Sequence, residues 1–100
     1  MTLKQIRVKQ VLTKILNEYR DVNTNMSIIL MDAQEGTIPV AKARRLLAPM
    51  IAKGDRLSNW ASKIRYYYDD WKSEDWFDSL CAYETVENSR YAAIMDNYKN

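Results

Sequence analysis

Two glycines and two prolines in 100 residues are the strongest constraint on what this chain can fold into. A sandwich or barrel turns sharply about every ten residues and relies on those two residue types to do so. Four breakers cannot supply that many turns. The pattern instead predicts helices joined by short polar links, an all-α fold with no sheet. With 47% hydrophobic and 28% charged residues the chain has enough apolar surface to fold. Its length fits one domain over residues 1–100, without a linker or internal repeat.

Local signals place the helices. Thr2 and Gln5 form a capping box, and Val8, Val11, Leu12, Ile15, Leu16 and Tyr19 recur at helical spacing behind it. Leu3 and Ile6 lie off that stripe, where they suit a contact with something else, a second copy of the chain included. "DVNTN" at 21–25 reads as a linker rich in capping residues. Residues 26–35 form a helix apolar all round or a short strand, since periodicity does not separate the two in so short an apolar run; Gly36 ends it either way.

Thr37 caps a helix with Pro39 in its first turn and Val40, Ala43, Leu47, Met50 and Ile51 on its inner stripe. Pro49 removes a hydrogen bond to residue 45 and is expected to kink or split that helix near Leu46. Gly54 then serves as a C-cap and Asp55 as the next N-cap. Leu57, Trp60, Ala61, Ile64, Tyr67, Tyr68 and Trp71 follow the helical period, as do Trp76, Phe77, Leu80 and Tyr83 after Ser73, and finally Tyr91, Ile94, Met95 and Tyr98. The expected architecture is a compact, irregular bundle of five or six short helices, kinked at Pro49.

Several chemistries are excluded or weakened by absences. Without histidine there is no Ser-His-Asp or Cys-His arrangement and no His-containing zinc site. Cys81 is the only cysteine, so no intramolecular disulfide forms and a reducing compartment suits the chain. Gly36 and Gly54 stand alone, which rules out glycine-rich phosphate loops. No cofactor is implied. Basic residues interrupt the apolar pattern of the N-terminus, and the longest apolar run, Ile28 to Met31, is far too short for a bilayer. A soluble cytoplasmic protein is expected, with no membrane partner.

Charge is polarised. Residues 1–56 carry ten basic and five acidic side chains, and residues 57–100 five basic and eight acidic. Lys42, Arg45, Lys53 and Arg56 form the candidate basic face. Such a face suits nucleic acid, and the helix, Gly54, helix order has the outline of a helix-turn-helix. Met50 and Pro49 fit that motif badly, because the two helices need small residues to approach each other.

The acidic, aromatic stretch "YYYDDWKSEDWFD" at 66–78 is the other unusual feature. It lacks the central glycine and alternating ligands of a calcium loop. Its adjacent acids point in different directions on a helix, which does not make a catalytic pair. Lys63, Arg65 and Lys72 break the continuity that DNA mimicry needs. Helical phase assigns Tyr67, Tyr68, Trp71, Trp76 and Phe77 to the core and turns Tyr66 outward. Tyr66, with Arg65, Asp69, Asp70 and Lys72, is therefore the candidate partner-binding surface, an aromatic anchor with a charged rim.

The expected function is a small, non-enzymatic adaptor or inhibitor docking on a larger cytoplasmic protein complex. As a class, this profile is common among accessory factors and phage-encoded inhibitors of host nucleic-acid-processing or defence machinery. A small basic, helix-turn-helix-like nucleic-acid-binding regulator is the alternative.

Overall fold

The computed structural model of the protein describes residues 1–99. It consists of three long helices, α1 (Leu3–Gln34), α2 (Val40–Tyr67) and α3 (Asp75–Lys99), with a 3-10 turn at Asp69–Trp71 before the last. There is no strand among the described residues. Successive helices run antiparallel: Lys4 near the start of α1 lies over Tyr68 at the end of α2, and Arg44 near the start of α2 over Tyr98 at the end of α3. The bundle measures 51 × 17 × 17 Å. Its long dimension is close to that of α1 alone, roughly 48 Å at 1.5 Å per residue.

The all-α class is as expected, but the five or six short helices are in fact three long ones. "DVNTN" is not a linker. Val22, Asn23 and Met26 are buried and continue the stripe of Leu12, Ile15, Leu16 and Tyr19 through it. Residues 26–34 belong to α1 as helix. Gly36 does end the helix, with φ +78°, in a Schellman closure: the Thr37 amide donates to Asp32 O at 2.8 Å and the Gly36 amide to Ala33 O at 3.2 Å. Thr37 thus closes α1 rather than capping α2, whose N-cap is Pro39 with no side-chain bond.

The expected split of α2 is also absent. Pro49 lies within the helix on its exposed side, so the carbonyl it leaves unpaired can be solvated, while Leu47 and Leu57 pack on either side of it. Gly54 is no cap but a buried mid-helix residue against which the Tyr91 ring packs. Asp55 caps nothing and accepts the Tyr91 hydroxyl at 2.6 Å. The two helical patterns that end at Tyr83 and resume at Tyr91 are one helix, and Glu84 and Glu87 between them are 2% and 3% exposed.

The core joins Leu12, Leu16, Tyr19 and Met26 of α1, Leu47, Leu57 and Ala61 of α2, and Leu80 and Ile94 of α3. A polar layer runs through it. Tyr19 Oη donates to Asn88 Oδ1 at 2.9 Å, which also accepts from Ser58 Oγ at 3.2 Å and so ties all three helices together. The Asn23 amide donates to the Glu87 carbonyl at 3.1 Å and to Glu87 Oε1 at 3.2 Å. Arg90 bridges Glu87, at 2.9 Å, and Thr24, at 3.0 Å. Tyr83 Oη donates to Asn17 Oδ1 at 2.9 Å. α1 contacts both partners along much of its length whereas α2 and α3 touch less, which leaves a broad outer face of α2 uncovered.

Candidate functional site

The last turn of α2 and the link to α3 carry the expected partner-binding residues. Tyr66 is 87% exposed, as its helical phase requires. Tyr67 is 75% exposed, and Trp60, two turns earlier on the same stripe, is 55% exposed, so neither is the core residue expected. Both sit at the edge of the inner stripe, and α1 covers only the side that carries Ala61 and Ile64.

Behind these surface rings stands an aromatic chain. Tyr67 meets the Tyr68 ring edge-on at 4.8 Å, Tyr68 stacks on Trp71 at 4.7 Å and 8°, Trp71 meets Trp76 at 5.9 Å, and Trp76 meets buried Phe77 at 5.6 Å. Tyr68, Trp71 and Trp76 are half-buried, so the chain runs from solvent into the core. It fixes the turn on which Tyr66 and Tyr67 stand.

The charged neighbours divide. Arg65 does not face outward freely: its Nε lies 3.2 Å from Glu84 Oε2. Burial pushes the Glu84 carboxyl above the ordinary carboxylate range, and the Arg65 guanidinium opposes that shift without cancelling it. Arg65 therefore anchors the end of α2 to α3. Asp69 and Lys72 pair across the turn at 3.8 Å, both largely exposed. Asp70 is exposed and makes no ion pair among the described residues. A shallow groove of about 540 Å³ lined by Asn59, Ser62, Lys63, Tyr66 and Tyr67 adjoins them.

The four residues of the expected basic face lie on one helix, and their stripe is longer than the sequence suggested. Because α2 is unbroken, Lys42, Arg45, Lys53 and Arg56 share one stripe with Trp60, Lys63 and Tyr67; at 100° per residue, 42 and 60 are in phase after five turns. All seven are exposed. Between Trp60 and α1 runs a second groove, about 460 Å³, lined by Val11, Lys14, Ile15, Glu18, Trp60, Lys63 and Ile64. The signal that places Trp60 and Lys63 in this stripe was present in the sequence, but an assumed break at Gly54 hid it.

A helix-turn-helix has no counterpart here, since α2 offers no turn at Gly54. Among the described residues no group of three or more Asp, Glu or Cys side chains is placed to hold a metal ion. The buried acids Glu84 and Glu87 line neither groove. No helix is long and apolar enough to cross a membrane. No known family, curated protein or solved structure matches this chain.

Proposed function

We propose that the protein is a non-enzymatic docking factor, an adaptor or inhibitor that grips a larger protein assembly with the aromatic end of α2. The observation that carries this reading is the pair Tyr66 and Tyr67, 87% and 75% exposed on the last turn of a helix. Large aromatic side chains surrounded by charges are the usual anchors of a protein interface. These two stand on a backbone held by the Arg65 to Glu84 pair and the Tyr68 and Trp71 stack, so binding costs little ordering of the chain that presents them.

Asp70 and the Asp69 and Lys72 pair form the rim, where charge selects a partner more than it adds affinity. The mechanism is steric: a rod 51 Å long attached by one end blocks or repositions whatever lies alongside. Phage-type inhibition of host nucleic-acid-processing or defence machinery is the form of this activity that the small size and polarised surface suit best.

The test is affinity capture from host lysate, comparing the wild-type chain with Tyr66→Ala/Asp70→Lys. The wild type should enrich one assembly reproducibly, and the folded double variant should lose it by roughly 30-fold, the effect of a single interface hot spot. Equal recovery by both chains, with unchanged circular dichroism, would disprove this surface.

A further inference from the structure

We infer that the outer stripe of α2 is a binding site for single-stranded nucleic acid, with Lys42, Arg45, Lys53, Arg56 and Lys63 contacting phosphates and Trp60 stacking on a base. This site is centred on Trp60 and runs away from the Tyr66 docking end, meeting it at Lys63, which also lines the groove beside Tyr66 and Tyr67.

The cations of α2 sort by position. The helix has seven: Arg44 lies over the Tyr98 ring at 5.5 Å and Arg65 pairs with Glu84. Neither is on the stripe. The other five all are, and among the described residues none takes part in an ion pair or lies over a ring. The only acid in α2, Asp55, is turned to the far side, where it accepts the Tyr91 hydroxyl. The result is an acid-free ridge from Lys42 to Lys63, about 32 Å long at 1.5 Å per residue. A ridge of that length carrying one sign of charge complements a linear polyanion rather than a compact acidic group.

Trp60 supplies what a merely solvated basic face lacks. It stands 55% exposed between Arg56 and Lys63 on the same stripe, whereas Trp71 and Trp76 are half-buried. An exposed indole flanked by cations is the combination that holds unpaired bases, because every base has a face to stack. The apolar groove beside it extends the platform across the helix pair; its α1 wall carries Lys14 and one acid, Glu18, so the acid-free run is that of α2 itself. Duplex is disfavoured by shape. The bundle is 17 Å across and α2 is flanked by α1 and α3 rather than projecting, so it does not enter a major groove about 12 Å wide.

The experiment is fluorescence anisotropy of a labelled oligothymidylate of about 20 nucleotides, at salt from about 50 to 200 mM. Five phosphate contacts predict a slope of log K against log salt near −3.5, from about −0.7 per contact on a single strand. Lys53→Gln/Arg56→Gln should flatten the slope by about 1.4 and weaken binding at least tenfold at low salt. Trp60→Ala should weaken it roughly 5- to 100-fold, and Trp60→Phe should restore most of the loss. Tyr66→Ala should change nothing, and all variants should keep the wild-type circular dichroism. Absence of binding at the lowest salt would overturn the inference, as would tighter binding of a duplex of the same length. Competition by polyglutamate as effective as unlabelled oligonucleotide, with Trp60→Ala neutral, would overturn it in favour of an acidic protein surface.

Discussion

Replacing Gly54 by alanine sets two effects of known size against each other. In the interior of a helix alanine is favoured over glycine by about 0.5–1 kcal/mol, chiefly because the unfolded glycine has more freedom to lose. On propensity alone Gly54→Ala should stabilise α2. The structure argues otherwise, since a Cβ at this position would lie 2.8 Å from Tyr91 Cε2 and 3.3 Å from Cδ2. Ordinary carbon contacts are about 3.5–4.0 Å, so the ring must retreat by most of an ångström.

It is poorly placed to do so. The Tyr91 hydroxyl donates to Asp55 Oδ1 at 2.6 Å, and its ring also packs against Tyr19 with centroids 5.9 Å apart. Overpacking of this kind costs about 1–3 kcal/mol, and loosening a bond to a charged acceptor adds to it. The clash therefore wins, leaving a net destabilisation of about 1–2 kcal/mol and a melting temperature lower by roughly 5–15 °C. Urea unfolding followed by circular dichroism measures the difference. The same substitution in a Tyr91→Ala background should become stabilising by about 0.5–1 kcal/mol, because only the propensity remains. Gly36→Ala is the contrast: at φ +78° with open space around it, its cost of about 1–2 kcal/mol comes from the backbone and does not depend on Tyr91. A stabilised Gly54→Ala in the wild-type background, or equal effects in both backgrounds, would refute the close-approach argument.

Two further outcomes concern buried titratable groups. Glu84 has its folded pKa raised by burial, so the stability linked to it is complete below the ordinary value of 4.5 and falls as pH rises through the folded value. Glu84→Gln should remove that decline and be at least as stable as the wild type at neutral pH in urea titrations; a loss of about 2 kcal/mol there would show that the charged pair with Arg65 is net stabilising. Tyr19, pushed up to about 12 by burial, contributes stability that is complete below the ordinary tyrosine value of 10.0 and lost as pH climbs towards the folded value. Tyr19→Phe should cost about 1 kcal/mol at neutral pH by deleting the bond to Asn88, yet lessen alkaline unfolding monitored by ultraviolet absorbance.

The helical class was legible because glycine and proline are so scarce, and the capping box at Thr2 and the terminator Gly36 were legible because both act through local backbone geometry. The core stripes of Leu12, Leu16 and Tyr19, of Leu47, Leu57 and Ala61, and of Phe77 and Leu80 were legible from period alone. The merging of short helices into long ones was not. Asn23 looked like a linker residue because asparagine competes for local backbone bonds, and only α3 supplies the partner that makes it a core residue. Gly54 looked like punctuation because a close helix contact and a cap call for the same residue. Pro49 was given more weight than its exposed position warrants. At the candidate site Tyr66 and Asp70 were placed correctly on the surface, whereas Arg65 was not available as supposed, since its partner Glu84 lies on another helix.

The polar layer bears on function through register. Apolar stripes alone leave neighbouring helices able to slide by one turn, about 5.4 Å, with similar burial. Here a slip of α3 would separate Asn23 from Glu87, Arg65 from Glu84, and Asn88 from both Tyr19 and Ser58. Each buried polar group left without a partner costs about 1–3 kcal/mol, and several lost at once are comparable with the whole stability of a small domain. Only one register keeps these bonds together. That register seats the Tyr68, Trp71 and Trp76 stack, which joins the end of α2 to the start of α3, under the final turn of α2. The interior polar groups thus fix how that aromatic turn is seated, and a variant that exchanges the layer for leucine is expected to gain burial while losing the single seating of the turn on which Tyr66 and Tyr67 stand; the basic ridge, carried by α2 alone, should persist.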